Sequence, residues 1–185
     1  MKNGTLFVIS SPSGGGKSTV ISKILAKNQN LSYSISATTR KPRAGENEGE
    51  DYYFMTKKQF REYVKDNRFL EWAEVHNNYY GTLKSQITEM LENGKHVILD
   101  IDVQGGKAVK ECMPESVLIF LMPPSIEELE KRLRSRGTDS DEDIVRRLLA
   151  AEQEMEQKDK YDYTVVNDTI DQSVKKVETI INHFS

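Results

Sequence analysis

Cysteine is nearly absent from this 185-residue chain. The single Cys112 cannot close an intrachain disulfide, so nothing in the fold depends on an oxidising compartment. It reads as a packed small side chain rather than a nucleophile. Long apolar runs are also missing. None approaches the ~20 residues that a membrane-spanning helix needs, and the apolar segment Leu6–Ile9 follows Met1 too soon for a signal peptide. A cytoplasmic protein with no membrane partner is therefore expected. Basic charge is not in excess: 26 Lys and Arg against 29 Asp and Glu give a net charge of −3, which argues against nucleic acid as the main partner. His76, His96 and His183 are scattered without ligand-like spacing and receive no role.

What is present is concentrated near the start. The apolar run Leu6-Phe7-Val8-Ile9 leads into Ser10-Ser11-Pro12-Ser13-Gly14-Gly15-Gly16-Lys17-Ser18-Thr19. A strand, a glycine-rich loop and then Lys-Ser-Thr opening a helix form a phosphate cradle. Glycines let several backbone N–H groups converge on one anion, Lys17 adds a cation, Ser18 offers a hydroxyl to Mg²⁺, and the helix N-terminus supplies positive potential. The full motif places glycine six residues before Lys17, where Ser11 stands. The Rossmann spacing is not met, because its third glycine position holds Thr19. A bound nucleoside triphosphate follows, with Ser11 through Thr19 around its phosphates.

Short, continuously apolar segments at 6–10, 97–101, 117–121 and 163–166 predict strands buried on both faces, hence a parallel sheet sandwiched by helices. Val20, Ile21, Ile24 and Leu25 mark the core stripe of the first helix, and Val174, Val177, Ile180 and Ile181 that of the last. Thr82 is read as opening a helix that runs to Asn93-Gly94. Ser125 with Glu128 reads as a capping box, and Ser140 with Asp143 opens the next helix. Residues 34–82 hold most of the aromatics and look like an inserted lobe; residues 124–157 are helical and densely charged.

Asp100 and Asp102 end an apolar strand two residues apart, so both are expected on one face at the end where ligands sit in open α/β sheets, with Asp102 placed to hold Mg²⁺ or its waters. The competing reading is that such an acid merely caps the next helix. Arg132 and Arg136 share a helix face, and Arg146 and Arg147 follow on the next helix. Although arginine rows are commonly solvated surface, here they can neutralise a triphosphate and a transferring phosphoryl group. Within the lobe, Ser36-Ala37-Thr38-Thr39-Arg40-Lys41-Pro42-Arg43 suggests a second anion site.

Taken in order, SPSGGGKST, TTRKPRAGE, GEDYYF, FLEWAEV, NYYGT, ILDIDVQG, PPSIEELEKRLRSRGTDS and VVND make the chain resemble the guanylate kinases from end to end. The resemblance implies a P-loop NTPase three-layer sandwich with a parallel central sheet: core 1–33, 83–123 and 158–185, GMP-binding lobe 34–82, and lid 124–157. It implies transfer of the ATP γ-phosphoryl group to GMP, with dGMP also accepted, and Mg²⁺ as cofactor. By the same resemblance Arg40, Arg43, Tyr52 and Tyr80 hold the GMP phosphate, while Glu71 reads the base with Ser36, Thr82 and Asp100. Lys17, Arg132, Arg136 and Arg147 are the catalytic cations, the family pattern alone selecting Arg147 over Arg146. Asn167 resembles an adenine-side ATP contact. The chemistry is coherent, because a carboxylate accepts together from guanine N1–H and the exocyclic amine but meets a bare acceptor at adenine N1.

Three other readings remain to be weighed. A P-loop kinase for a different monophosphate has no need of the Glu71, Ser36 and Thr82 set. A silent interaction module of the guanylate kinase type tends to lose its nucleotide-gripping residues, whereas Lys17, Ser18, Arg40, Arg43 and Asp102 are all present. A signalling GTPase would carry Asn-Lys-x-Asp, which is missing.

Overall fold

Strand β1 (Leu6–Ser10) runs through the middle of the molecule with all five residues buried. The computed structural model describes residues 3–135, 137 and 139–184. After β1 come α1 (Lys17–Lys27), β2 (Leu31–Tyr33), β3 (Ala37–Thr38), β4 (Tyr53–Phe54), α2 (Lys57–Lys65), β5 (Phe69–Val75), β6 (Asn78–Leu83) and α3 (Lys84–Glu92). The second half holds β7 (His96–Asp100), α4 (Val103–Cys112), β8 (Val117–Met122), α5 (Ile126–Ser135), α6 (Asp141–Met155), a 3-10 turn (Glu156–Lys160), β9 (Tyr163–Val166) and α7 (Ile170–His183).

Five parallel strands in the order β2-β7-β1-β8-β9 form the central sheet. Alternate β1 side chains enter two different cores. Phe7 and Ile9 pack with Val20, Ile24, Val174 and Val177 of α1 and α7, while Leu6 and Val8 meet Ile87, Leu91 and Val109 of α3 and α4. Each such side chain contributes about 1.5–3 kcal/mol by leaving water. Burial on both faces explains the unbroken apolar runs, and the α/β sandwich expected from them is the fold observed.

A second sheet, β4-β3-β6-β5, spans residues 37–83 around Ala37, Phe60 and Phe69. Phe60 stacks on Phe69 at 4.4 Å and on Tyr79 at 5.4 Å, so the aromatics of this segment are largely packing. The β5–β6 hairpin turns through His76 and Asn77, both with positive φ (49° and 62°), as the tight primed turns require. Helix α3 begins at Lys84 rather than Thr82. Thr82 stays in β6 opposite Glu71, and Leu83 packs into the second sheet's core, so strand pairing wins over the helical pattern.

Ser125 Oγ accepts from the Glu128 N–H at 3.2 Å, but the Glu128 carboxylate turns to Arg132 instead of closing the box. Ser140 caps α6 as expected. Leu129 and Leu133 of α5 pack with Ile144 and Ala151 of α6 in a small core of their own. Cys112, expected to be packed, is exposed at the end of α4. No helix among the described residues is long and apolar enough to cross a membrane.

Candidate active site

The loop after β1 folds on itself where Gly15 N–H donates to the Pro12 carbonyl at 2.9 Å. Ser11, standing where the motif has glycine, is buried and donates its Oγ to the same carbonyl at 3.2 Å. Gly14 and Gly16 have φ of 91° and 87°, a region that side chains disfavour. A Cβ on Gly14 would meet Leu133 Cδ2 at 2.8 Å, and one on Gly16 would meet Asn167 Nδ2 at 2.6 Å. Gly16 also caps α1 with no side chain and no acidic residue in the first turn, leaving those N–H groups open to an anion. The result is a cavity of about 290 Å³ lined by Ser11, Pro12, Ser13, Gly14, Gly15, Gly16, Lys17, Ser18, Thr19, Asp102 and Glu154.

Lys17 Nζ lies 2.6 Å from Asp100 Oδ1 and donates to the Ile101 carbonyl at 2.9 Å. Asp100 therefore partners the loop lysine at the end of β7. Asp102 is not its strand-mate, because β7 stops at Asp100 and Asp102 is the N-cap of α4, with Oδ1 accepting from Gly105 N–H at 2.8 Å. The helix-cap reading of Asp102 thus holds, and Asp102 still lines the phosphate cavity. The expectation that the two acids share a strand face is replaced by a strand-end acid and a cap. Beside this cavity a larger cleft of about 560 Å³ opens between α4 and the end of α6, and Asp102 and Glu154 stand in the wall of both.

In the second sheet Glu71 of β5 and Thr82 of β6 are cross-strand partners, and Thr82 Oγ1 donates to Glu71 Oε1 at 2.6 Å. Burial holds the Glu71 carboxyl above its ordinary range, the Asp102 charge adds to this, and the Thr82 hydroxyl opposes it. Arg40, just past β3, forks onto Glu46 with Nη1–Oε2 3.0 Å and Nη2–Oε1 2.8 Å, and its guanidinium lies 5.2 Å from the Tyr52 ring centroid. Glu46 above all, and Tyr80 after it, raise the Arg40 pKa further. The rings of Tyr52 and Tyr80 are 6.1 Å apart. Arg40, Tyr52 and Tyr80 are thus together, while the Arg43 side chain is exposed next to them and its backbone N–H donates to Glu46. Ser36 lies half-buried just before β3, its carbonyl accepting from Tyr53 N–H.

The described arginines of residues 124–157 are paired with neighbouring acids. Arg132 pairs with Glu128 at 3.1 Å and donates to the carbonyls of Asn167 (3.1 Å) and Asp168 (3.4 Å), so it is turned toward the β9–α7 connection and is absent from the cavity lining. Arg147 pairs with Asp139 at 3.1 Å and Arg146 with Asp143 at 2.8 Å. Arg136 lies outside the described residues. Asn167 is fully buried; it donates Nδ2 to the Gly15 carbonyl at 2.6 Å and accepts from Ser173 Oγ at 2.7 Å, so its amide braces the phosphate loop from behind.

A guanylate kinase family model matches residues 3–184. The chain belongs to the guanylate kinase family. It is 47% identical over 180 residues to a guanylate kinase of Caldanaerobacter subterraneus subsp. tengcongensis and 51% identical over 180 residues to one of Oceanobacillus iheyensis, covering 97% of this chain and 87% of each relative. The crystal structure of guanylate kinase from Anaplasma phagocytophilum superimposes with a TM-score of 0.74 at 34% identity, over 99% of this chain and 87% of that one.

Guanylate kinases work on ATP, and the oxygen donors around this cradle suit the Mg²⁺ that ATP carries. Ser18 and Asp102 offer a hydroxyl and a carboxylate, and Mg²⁺ ordinarily keeps waters and phosphate oxygens beside one or two such ligands. Among the described residues no group of three or more His, Cys, Asp or Glu is placed to hold a metal ion by itself.

Three residues of this guanylate kinase fold went unread in the sequence. Glu46 grips Arg40 and orders the loop carrying Arg43; an acid three residues past Arg43 was the available signal. Tyr33 is exposed at the end of the edge strand β2, yet desolvation of its hydroxyl, with Asp100 and Tyr52 adding to it, pushes its pKa up to about 12. Glu154 reaches the cradle from the far end of α6, and nothing local in its sequence marks it.

Proposed function

We propose that the loop at 11–19 seats MgATP, that the 34–82 segment seats GMP, and that the two are aimed at each other across Asp100 and Asp102. As a family member the chain is an ATP-dependent kinase converting GMP to GDP. The finer reading adds dGMP as a second acceptor, a role in recycling GMP, and a cytoplasmic setting.

Support for the acceptor comes above all from one contact, the 2.6 Å hydrogen bond from Thr82 to Glu71 in a buried corner. It fixes a carboxylate with a second oxygen to spare, and that group complements the N1–H and amine edge of guanine. A monophosphate on the same nucleotide would take over the Arg40 fork that Glu46 now fills, with Tyr52 and Tyr80 beside it and Arg43 within the same loop. Ser36 completes the rim of this pocket.

The GMP phosphate is already an anionic nucleophile, so no general base is required; positioning and charge neutralisation carry the reaction. Backbone N–H groups of the loop and of the first turn of α1 hold the triphosphate. Lys17, steered by Asp100, brings a cation to its terminal groups. Bound Mg²⁺ supplies electrostatic stabilisation of the phosphates, with Ser18 and Asp102 as its protein donors. Arg132, Arg136 and Arg147 belong to the 124–157 lid and complete the neutralisation when that segment closes and excludes water. To do so Arg132 and Arg147 must release Glu128 and Asp139.

ADP formation from MgATP, measured with GMP, dGMP, AMP, CMP, UMP and dTMP in turn, tests this assignment. Turnover with GMP and dGMP is expected. Turnover with AMP and none with GMP would overturn it.

A further inference from the structure

The phosphate cradle must admit a polyanion, yet its wall contains two carboxylates, Asp102 and Glu154. Asp102 is partly accounted for, since one oxygen caps α4. Glu154 is not. It stands one residue before the end of α6, half-buried, and its Oε2 is out of contact with solvent and takes no hydrogen bond from any described residue. A buried oxygen of this kind is uncommon, because the desolvation it suffers is normally offset by a donor. Its surroundings narrow the choice of donor. The Ser13 backbone N–H acts on the carboxylate as a hydrogen-bond donor and Asp102 and Lys17 act by charge, Lys17 being committed to Asp100 and the Ile101 carbonyl, so Oε2 is the oxygen left without a donor.

Phosphate oxygens cannot donate to Glu154, being acceptors themselves and carrying the same charge. A carboxylate can share a wall with a triphosphate only where a cation or a row of donors lies between them. The water shell of a divalent ion supplies both, and Mg²⁺ keeps several of its waters in nucleotide sites. We propose that Glu154, through its unpartnered Oε2 in the wall of the phosphate cradle beside Asp102, is a positioning residue that accepts from the waters of the Mg²⁺ carried by ATP. The inference rests on the placement of MgATP given above. It assigns to the end of α6 a part in telling metal-loaded ATP from the free nucleotide. Outer-shell carboxylates of this kind alter metal affinity by about 10–100-fold.

The test is equilibrium binding of ATP by titration calorimetry, without GMP, in excess Mg²⁺ and again in EDTA. Wild type, Glu154→Gln and Glu154→Asp are compared, each checked for an intact thermal transition. Removing the charge should strengthen binding of metal-free ATP and weaken binding of MgATP, so the gain in affinity from Mg²⁺ falls by about 10-fold in Glu154→Gln. Glu154→Asp should keep an intermediate gain, and it carries the comparison if the Gln variant does not fold. An unchanged gain, whether both affinities drop together or neither moves, overturns the proposal. The acceptor panel is scored on wild type alone, so failure of the kinase assignment shows there and not here.

Discussion

Replacing Asn167 by alanine separates a brace from a base contact. The Asn167 amide holds the Gly15 carbonyl at 2.6 Å and accepts from Ser173 Oγ at 2.7 Å in a fully buried position. Deleting it orphans a carbonyl and a hydroxyl, each costing about 1–3 kcal/mol when left buried without a partner. Asn167→Ala should therefore destabilise the fold by about 2–6 kcal/mol, a fall in Tm of about 4–24 °C at this chain length. Because the loop itself shifts, ATP and GTP should lose affinity by similar factors. Adding Ser173→Ala removes one of the orphans and should return about 1 kcal/mol, so the double variant is less than additive. Calorimetric unfolding and nucleotide titrations read both effects. A Tm within about 2 °C of wild type, with selective loss of ATP over GTP, would refute the brace and restore the adenine contact.

Glu71→Ala should lower kcat/KM for GMP by about 10⁴-fold, as sites that lose a paired polar group do, and leave the ATP Kd within about twofold; steady-state kinetics with each substrate varied decide it. The same carboxyl gives a pH signature. Its pKa is raised in the folded state, so the native protein binds more protons than the unfolded chain from the ordinary carboxylate range up to that raised value, and stability falls as pH climbs through this window. Wild type should accordingly lose stability relative to Glu71→Gln between the two limits and run parallel to it above them, as denaturant melts over a pH series would record. Spin labels in a Cys112→Ser background should report little movement between Glu130→Cys on α5 and the core when MgATP and GMP are added together, and a clear movement for Val145→Cys on α6; equal displacement of both would contradict the anchoring of α5.

The three middle strands of the central sheet, β7, β1 and β8, were legible because each is buried on both faces and leaves an unbroken apolar run. Strand β2 was missed because Leu31-Ser32-Tyr33 is an edge of three residues with only Leu31 buried. The short strands of the second sheet carry no periodicity of their own; β3 and β4 have two residues each and are recognisable only from their partners. The same contrast holds in the site. The loop at 11–19 is contiguous, so its spacing declares it. Glu71 and Thr82 came from the resemblance, and the hairpin register then explained them. Glu46, Tyr33 and Glu154 act through partners 6, 67 and roughly 140 residues away, and a linear reading has no measure of such distances. Asn167 illustrates the same limit: a polar residue ending a strand looks available to a ligand, and only the fold shows its amide enclosed behind Gly15.

The glycines of the loop also constrain how the lid can act. Gly14 and Gly16 are small for two different neighbours: Gly14 lies under Leu129 and Leu133 of α5, and Gly16 lies against Asn167. Arg132, on the same helix as those leucines, is tied to the Asn167 and Asp168 carbonyls. Helix α5 is thus held on the phosphate loop by its apolar face, and Arg132 can turn from the β9–α7 connection to the phosphates without lifting it. Lifting it would uncover Leu129 and Leu133, each fully buried and holding about 1.5–3 kcal/mol by that burial. Helix α6 packs Ile144 and Ala151 onto those same leucines while Val145 and Leu149 on its other side are exposed, and its far end carries Glu154 into the cradle. A closure that brought Arg147 inward with α5 seated would have to slide α6 along Leu129 and Leu133 rather than part from them. On that geometry α5 is the surface a moving α6 would slide against, and the phosphate loop is the floor on which α5 rests.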